Sequence, residues 1–535
     1  MSGKLPPKQL EALYMRFNQI TCLSSIAVLL VMESCQEKKT SSNKIAAVKN
    51  TALYQEAHRP QFHFSPPANW MNDPNGMVYY QGEYHLFYQY YPDSTVWGPM
   101  HWGHALSKDL IHWENLPVAL YPDSLGYIFS GSAVVDENNP AGFQTGSEKA
   151  LVAFFTHHNP KNELQVQSLA YSNDKGRTWQ KYAHNPVLAN PGIKDFRDPK
   201  ISWYAPAKRW IMTLAVQDRV HFYSSPDLKN WQFESQFGEG NVGAHGGVWE
   251  CPDLFPLTVA GKQKWVLLVS INPGGPNGGS ATQYFIGDFN GKTFENENAP
   301  ETTLWLDYGT DNYAGVTWSG VPTTDGRRLF IGWMSNWLYG PTVPTANWRS
   351  AMTIPRALIL QNTPAGTRLA NTPVKELQKL RTGSQVIKSQ PITGNLDLSK
   401  TLDLKTSLLE LDLNFDMDKS EKVEVNFSNQ KGEQITIGYS VPEKQLYIDR
   451  SKSGQTNFDK NFAAKHTAPL LLENGKLKLQ LFLDVASVEV FANNGTVVMT
   501  DIFFPNQDFT QVELTAKGTG ILAESHAYSL QSIWK

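Results

Sequence analysis

The sequence predicts an all-β chain, a five-bladed β-propeller followed by a C-terminal β-sandwich. Between residues 61 and 355, short strand-like runs alternate with Gly, Pro, Asn and Asp, and no amphipathic helical pattern interrupts them. A Ser-x-Asp turn followed by Trp recurs at Ser107, Asp109 and Trp113, at Ser172, Asp174 and Trp179, and at Ser225, Asp227 and Trp231. A degenerate copy begins at Gly287. The copies lie roughly 50 to 65 residues apart, the length of one four-stranded blade with long loops, so about 300 residues make about five blades. Beyond residue 384 the pattern changes to strict polar–apolar alternation, as in Leu408-Leu409-Glu410-Leu411-Asp412-Leu413-Asn414-Phe415. Period two over many short strands is the signature of a sandwich.

At 535 residues the chain accommodates two or more domains, each with its own core. Residues 1–50 read as a targeting segment and tether. An apolar run at 20–32 stands behind Arg16 and is too short to span a bilayer. It ends in Met32-Glu33-Ser34-Cys35 before the polar stretch 36–50, which resembles a bacterial lipoprotein signal with Cys35 as the lipidated residue and Met15 as the start. An exported protein on the bacterial envelope follows, with secretion as the alternative. Residues 51–355 are then the propeller. Residues 356–383, broken at Pro364 and Pro373, read as a linker with a short helix at 374–380, and 384–535 as the sandwich.

Composition excludes several classes. With 47 Lys and Arg against 50 Asp and Glu, the net charge is -3 and no basic block stands out, so nucleic acid is not expected as a partner. Of three cysteines, Cys22 and Cys35 fall in the targeting segment and leave Cys251 alone, which rules out a disulfide framework in the mature chain. The pairs His101 with His104 and His157 with His158 lack a third ligand or a helical Glu. No metal and no cofactor is expected.

The chemistry concentrates in three acidic motifs. Asn69-Trp70-Met71-Asn72-Asp73-Pro74-Asn75-Gly76 sets one carboxylate among amides and an indole. Phe196-Arg197-Asp198-Pro199 and Trp249-Glu250-Cys251-Pro252-Asp253-Leu254 each place another acidic residue beside Pro and an aromatic residue at a strand–turn boundary. Taken singly, Asp73 reads equally as the cap of an Asx-turn and Asp198 as an ion pair with Arg197. In a propeller, loops at one end surround a central funnel, and scattered sites of one design converge there.

In that order, these motifs resemble the signature blocks of glycoside hydrolase family 32. Phe129-Ser130-Gly131-Ser132, Asp307-Tyr308-Gly309 and Gly332-Trp333-Met334 agree, and the likeness runs over residues 61–381. The resemblance implies a retaining enzyme releasing terminal fructose from fructans such as levan or inulin, or from sucrose. It makes Asp73 the nucleophile, Glu250 the acid and then base, and Asp198 the residue that grips sugar hydroxyls. Trp70, Asn72, Gln89, Trp97, Phe129, Ser130, Arg197 and Trp333 are then expected to bind substrate. Asn72 and Asn75 should keep Asp73 ionised, Trp249 and Cys251 should give Glu250 an apolar setting, and Asp198 beside Arg197 should stay ionised. A monomer is favoured. An endo-levanase or invertase is the alternative within the family. A fructan-binding lipoprotein without activity is the alternative outside it, and that reading predicts loss of at least one of the three carboxylates.

Overall fold

The strand Asn69–Tyr80 opens the first of the five propeller sheets in the structure, a computed structural model describing residues 53–402 and 407–534. The signal and anchor expected in residues 1–50, Cys35 included, lie outside the described residues. Four consecutive strands make each of the first four blades. The first holds Asn69–Tyr80, Glu83–Tyr91, His101–Ser107 and Trp113–Leu120. The next three begin with Tyr127–Asp136, Phe196–Tyr204 and Val248–Val259. These leading strands pack side by side in a ring that the fifth blade's Tyr313–Thr317 closes back onto the first. Trp348–Arg349 strengthens the closure by pairing in parallel with Asn69 and Trp70.

The repeat falls at one structural position. Ser107, Ser172 and Ser225 each end a blade's third strand, and each hydroxyl bonds the Asp two residues on, at 3.3, 2.7 and 3.2 Å. Asn290 does the same work in the degenerate copy, accepting from the main-chain N–H of Lys292 and Thr293. Such turns satisfy the backbone groups freed where a strand ends.

Both faces of each blade are buried, which is why runs such as Ala150-Leu151-Val152-Ala153-Phe154-Phe155 lack polar alternation. Leu151, Ala153 and Phe155 face Val78, Phe87 and Trp102 of the first blade, whereas Val152 and Phe154 face Ile201 and Met212 of the third. Further clusters fill the gaps between blades three and four, four and five, and five and one. At about 1.5–3 kcal/mol per large apolar side chain, these contacts hold the blades together.

The expected linker is corrected over much of its length. Arg356–Thr363 and Gly366–Pro373 are the two outer strands of the fifth blade, pairing with Arg328–Met334 and with each other. The prolines sit in the turn and at the last residue, where no ladder hydrogen bond is lost. Lys375–Leu380 is a 3-10 turn, and Arg381–Ile387 already belongs to the sandwich. There the strand Gln511–Leu522 pairs with Ser420–Ser428, and its last residues also pair with Leu409–Asp416, joining the two layers around one apolar core.

Propeller and sandwich share buried charges. Arg356 reaches Asp307 at 2.9 Å and Glu489 of the sandwich at 2.5 Å, and His63 lies between Asp484 and Glu489 at 2.7 and 3.0 Å. The block Asp307-Tyr308-Gly309 serves this junction. A Cβ on Gly309 would come within 2.1 Å of the Thr500 backbone. Among the described residues, no helix is long and apolar enough to cross a membrane.

Candidate active site

All five leading strands break register at one level of the ring. The irregularities fall between Met71 and Pro74, Ile128 and Gly131, Arg197 and Lys200, Glu250 and Asp253, and Tyr313 and Val316. Pro74, Pro199 and Pro252 sit at three of them, because a residue without N–H cannot continue a ladder. Asp198, Cys251 and Ala314 there adopt φ of 63°, 46° and 52°, a region non-glycine residues rarely visit. A bulge re-aims side chains. Here the bulges turn Asp73, Ser130, Asp198 and Glu250 into one funnel of about 320 Å³ at the hub.

The funnel is closely wired. Asp73 accepts hydrogen bonds from Asn72 Nδ2 at 3.0 Å and from Ser130 Oγ at 2.7 Å. Asn72 is itself oriented by the Trp70 indole N–H at 2.7 Å. Asp198 accepts from the Cys251 main-chain N–H at 3.1 Å, and the Cys251 thiol lies 3.6 Å from Asp73 and 3.7 Å from Asp198. Glu250 receives Arg197 Nη2 at 2.9 Å on one oxygen and the Tyr313 hydroxyl on the other. Arg197 Nη1 donates to Asp195 at 2.6 Å.

Burial dominates the electrostatics. It raises the Asp73 pKa, helped by the Glu250 charge and opposed by Asn72 and Ser130. Burial pushes Asp198 up to about 7, against the pull of Arg197 and with the push of Glu250 and Asp73. Arg197 alone therefore does not set the charge of Asp198, because burial and the neighbouring carboxylates push against it. The Cys251 thiol and Tyr313 phenol are driven well above their ordinary values by burial and by the adjacent carboxylates. Both stay protonated and able to donate.

The substrate-binding candidates divide. Asn72, Gln89, Trp97, Phe129, Ser130 and Arg197 line the funnel. Trp70 and Trp333 are fully buried, and the wall is instead formed by Trp337, whose ring lies 5.8 Å from Trp70 and 4.9 Å from Trp333. They support the wall from behind. Asn75 reaches only the main-chain oxygen of Asp73, at 3.4 Å, and Ser130 takes its place on the carboxylate. Trp249 points into the gap between blades three and four, donating to Ala244, and Cys251 faces the two aspartates. The apolar setting expected for Glu250 is thus replaced by Arg197 and Tyr313.

Sequence reasoning did not assign Tyr313, Gln165, Asp195 and Trp337 to the site. Asp195 stands two residues ahead of Arg197 and was within reach of the motif, whereas single residues such as Trp337 carry no local signal. A larger cleft of about 660 Å³ runs between the fourth and fifth blades and the sandwich, past Trp305, Tyr308 and Lys478, but Glu473 is the single acidic residue lining it. Paired-carboxylate chemistry belongs to the smaller funnel. Among the described residues no group of His, Cys, Asp and Glu is placed to hold a metal ion.

Comparison with known proteins agrees over both domains. The glycosyl hydrolases family 32 N-terminal domain matches residues 63–373, and the family 32 C-terminal domain matches residues 376–534. A levanase of Bacillus subtilis (strain 168) is 52% identical over 91% of this chain and 73% of its own length. An extracellular exo-inulinase of Aspergillus awamori is 37% identical, over 90% of this chain and 96% of its own. The crystal structure of exo-inulinase from Aspergillus awamori superposes with a TM-score of 0.83 at 36% identity, covering 90% of this chain and all of that one. A beta-fructofuranosidase from Schwanniomyces occidentalis complexed with fructosyl-erythritol gives 0.81 at 30% identity, covering 90% and 99%.

Proposed function

The chain belongs to glycosyl hydrolase family 32, and from that premise we propose a retaining, exo-acting fructan hydrolase in which Asp73 is the nucleophile and Glu250 the proton donor. The observation that carries the reading is the meeting of two carboxyls in one funnel, each on a motif of the family. Asp73 accepts from the neutral donors Asn72 and Ser130, and Glu250 is held at the funnel wall by Arg197 and Tyr313. Asp73 attacks the anomeric carbon of a terminal fructosyl unit. The bond to the leaving oxygen breaks as that oxygen takes the Glu250 proton, giving a glycosyl ester. Glu250, now a carboxylate, takes a proton from water. The water oxygen displaces Asp73 and frees fructose with its configuration retained. Asp198 sits where it can accept hydrogen bonds from sugar hydroxyls as positive charge develops, while Trp97 and Phe129 offer apolar faces.

Levan and inulin are the proposed polymers, by likeness to the levanase and the exo-inulinase, with sucrose as a further substrate. We further propose export, with Cys35 as a lipid anchor. The deciding experiment is the product profile on levan, inulin and sucrose. Fructose alone from polymer supports exo action, and a ladder of oligomers means endo action. Turnover of sucrose alone means an invertase, and no turnover of any substrate would return the binding-protein reading.

A further inference from the structure

We propose that Asp195 is a positioning residue for the proton donor, holding the Arg197 guanidinium so that its free edge meets Glu250. The inference rests on the reading of Glu250 as that donor. Arg197 stands among three carboxylates. Nη1 bonds Asp195 at 2.6 Å, Nη2 bonds Glu250 at 2.9 Å, and Nε is 3.9 Å from Asp198. The fork is planar and rigid, so fixing one terminal nitrogen fixes where the other points. Among the described residues Asp195 is the one carboxylate bonded to Nη1, so without it the fork can turn toward Asp198 and off Glu250.

Asp195 is itself fastened to the strand that carries Glu250. Its main-chain oxygen accepts from Gln217 N–H at 2.9 Å, and the Gln217 oxygen accepts from Trp249 N–H, next to Glu250, at 2.7 Å. Both Asp195 and Gln217 hold left-handed backbone, with φ of 54° and 57°, a conformation that persists only where surrounding bonds impose it. Gln165 pins the residue between Asp195 and Arg197, accepting from Phe196 N–H at 2.8 Å. Side chains thus run Asp195 to Arg197 to Glu250, and main chain runs Asp195 to Gln217 to Trp249. Two connections between the same pair of blades close into a loop, which sets the carboxyl of Glu250 relative to Asp195.

The test compares Asp195→Ala and Asp195→Asn, in the full chain, on sucrose and levan and on a nitrophenyl fructofuranoside, whose acidic leaving group departs without a proton. A donor held out of line fails where protonation is needed. The expected result is a fall in kcat of about 10- to 100-fold on the natural substrates with KM nearly unchanged, and a loss under about threefold on the activated donor. The alkaline limb of the pH–rate profile should move to higher pH, because a fork rotated off Glu250 no longer favours its carboxylate. Equal losses on all donors, an unmoved alkaline limb, or a raised KM with unchanged kcat would overturn the inference. If the alanine variant melts early, the isosteric asparagine variant carries the comparison. Glu250→Gln run in parallel separates the two claims. If that variant also spares neither donor, the proton-donor assignment falls and this inference with it. If it spares the activated donor and the Asp195 variants do not, only the role of Asp195 falls.

Discussion

The Ser130 hydroxyl donates a 2.7 Å hydrogen bond to Oδ2 of Asp73, joining the leading strands of the first two blades at the carboxylate. The bond opposes the burial that raises the Asp73 pKa. Removing it in Ser130→Ala should raise that pKa further and move the acid limb of the kcat/KM profile to higher pH. Asp73→Asn should leave the thermal melt intact and cut turnover by several orders of magnitude, since an amide cannot form the glycosyl ester. Activity within about tenfold of wild type would sink the nucleophile assignment.

Cys251 tests the other side of the same carboxylate. Its thiol, protonated and close to Asp73 and Asp198, favours their charged forms. Cys251→Ala should therefore shift the acid limb upward and spare the alkaline limb. A shift confined to the alkaline limb would instead tie the thiol to Glu250.

For Glu250→Ala, severe loss is expected on levan, inulin and sucrose. The first step on a donor with an acidic leaving group should survive, and added azide should speed breakdown of the intermediate. Single-turnover rates on both donor types give the answer, and equal losses would remove Glu250 as proton donor.

The junction of the two domains predicts a pH dependence of stability. Fully buried His63 has its pKa raised to about 9, where the bonds and charges of Asp484 and Glu489 outweigh the opposing cost of burial. The protonated ring is the native form. Its contribution, on the order of 3 kcal/mol, is fully present below an unfolded pKa near 6.5 and is lost as pH rises through about 9. The Tm difference between wild type and His63→Gln should accordingly shrink above pH 9. Glu489→Gln, which strips Arg356 of a buried partner, should cost about 3–5 kcal/mol at neutral pH.

Cys35→Ala tests the proposed anchor. Wild-type protein should fractionate with membranes and the variant should be released or unprocessed. A wild-type protein recovered wholly in the soluble fraction leaves simple secretion.

The sequence by itself determined what depends on neighbours along the chain. Ser107, Ser172 and Ser225 with their aspartates mark blade turns because the bond is made within two residues. Pro74, Pro199 and Pro252 mark the bulges because a missing N–H is a local fact, and the acidic residues beside them were readable for that reason. Alternation announced the sandwich, since its strands bury one face. The run 150–155, apolar on both faces, told only that it was buried. What the tertiary structure decided is which side chain meets the funnel. The excursion between Met334 and Arg356 lays Trp337 over Trp70 and Trp333, so the two indoles nearest the motifs became support. Arg356 looked like linker, yet it lies in the fifth blade with its charge buried against Asp307 and Glu489, residues 49 and 133 positions away. Contacts of that separation follow from how blades close into a ring and dock on a second domain. Period, turn chemistry and motif are local, and ring closure is not.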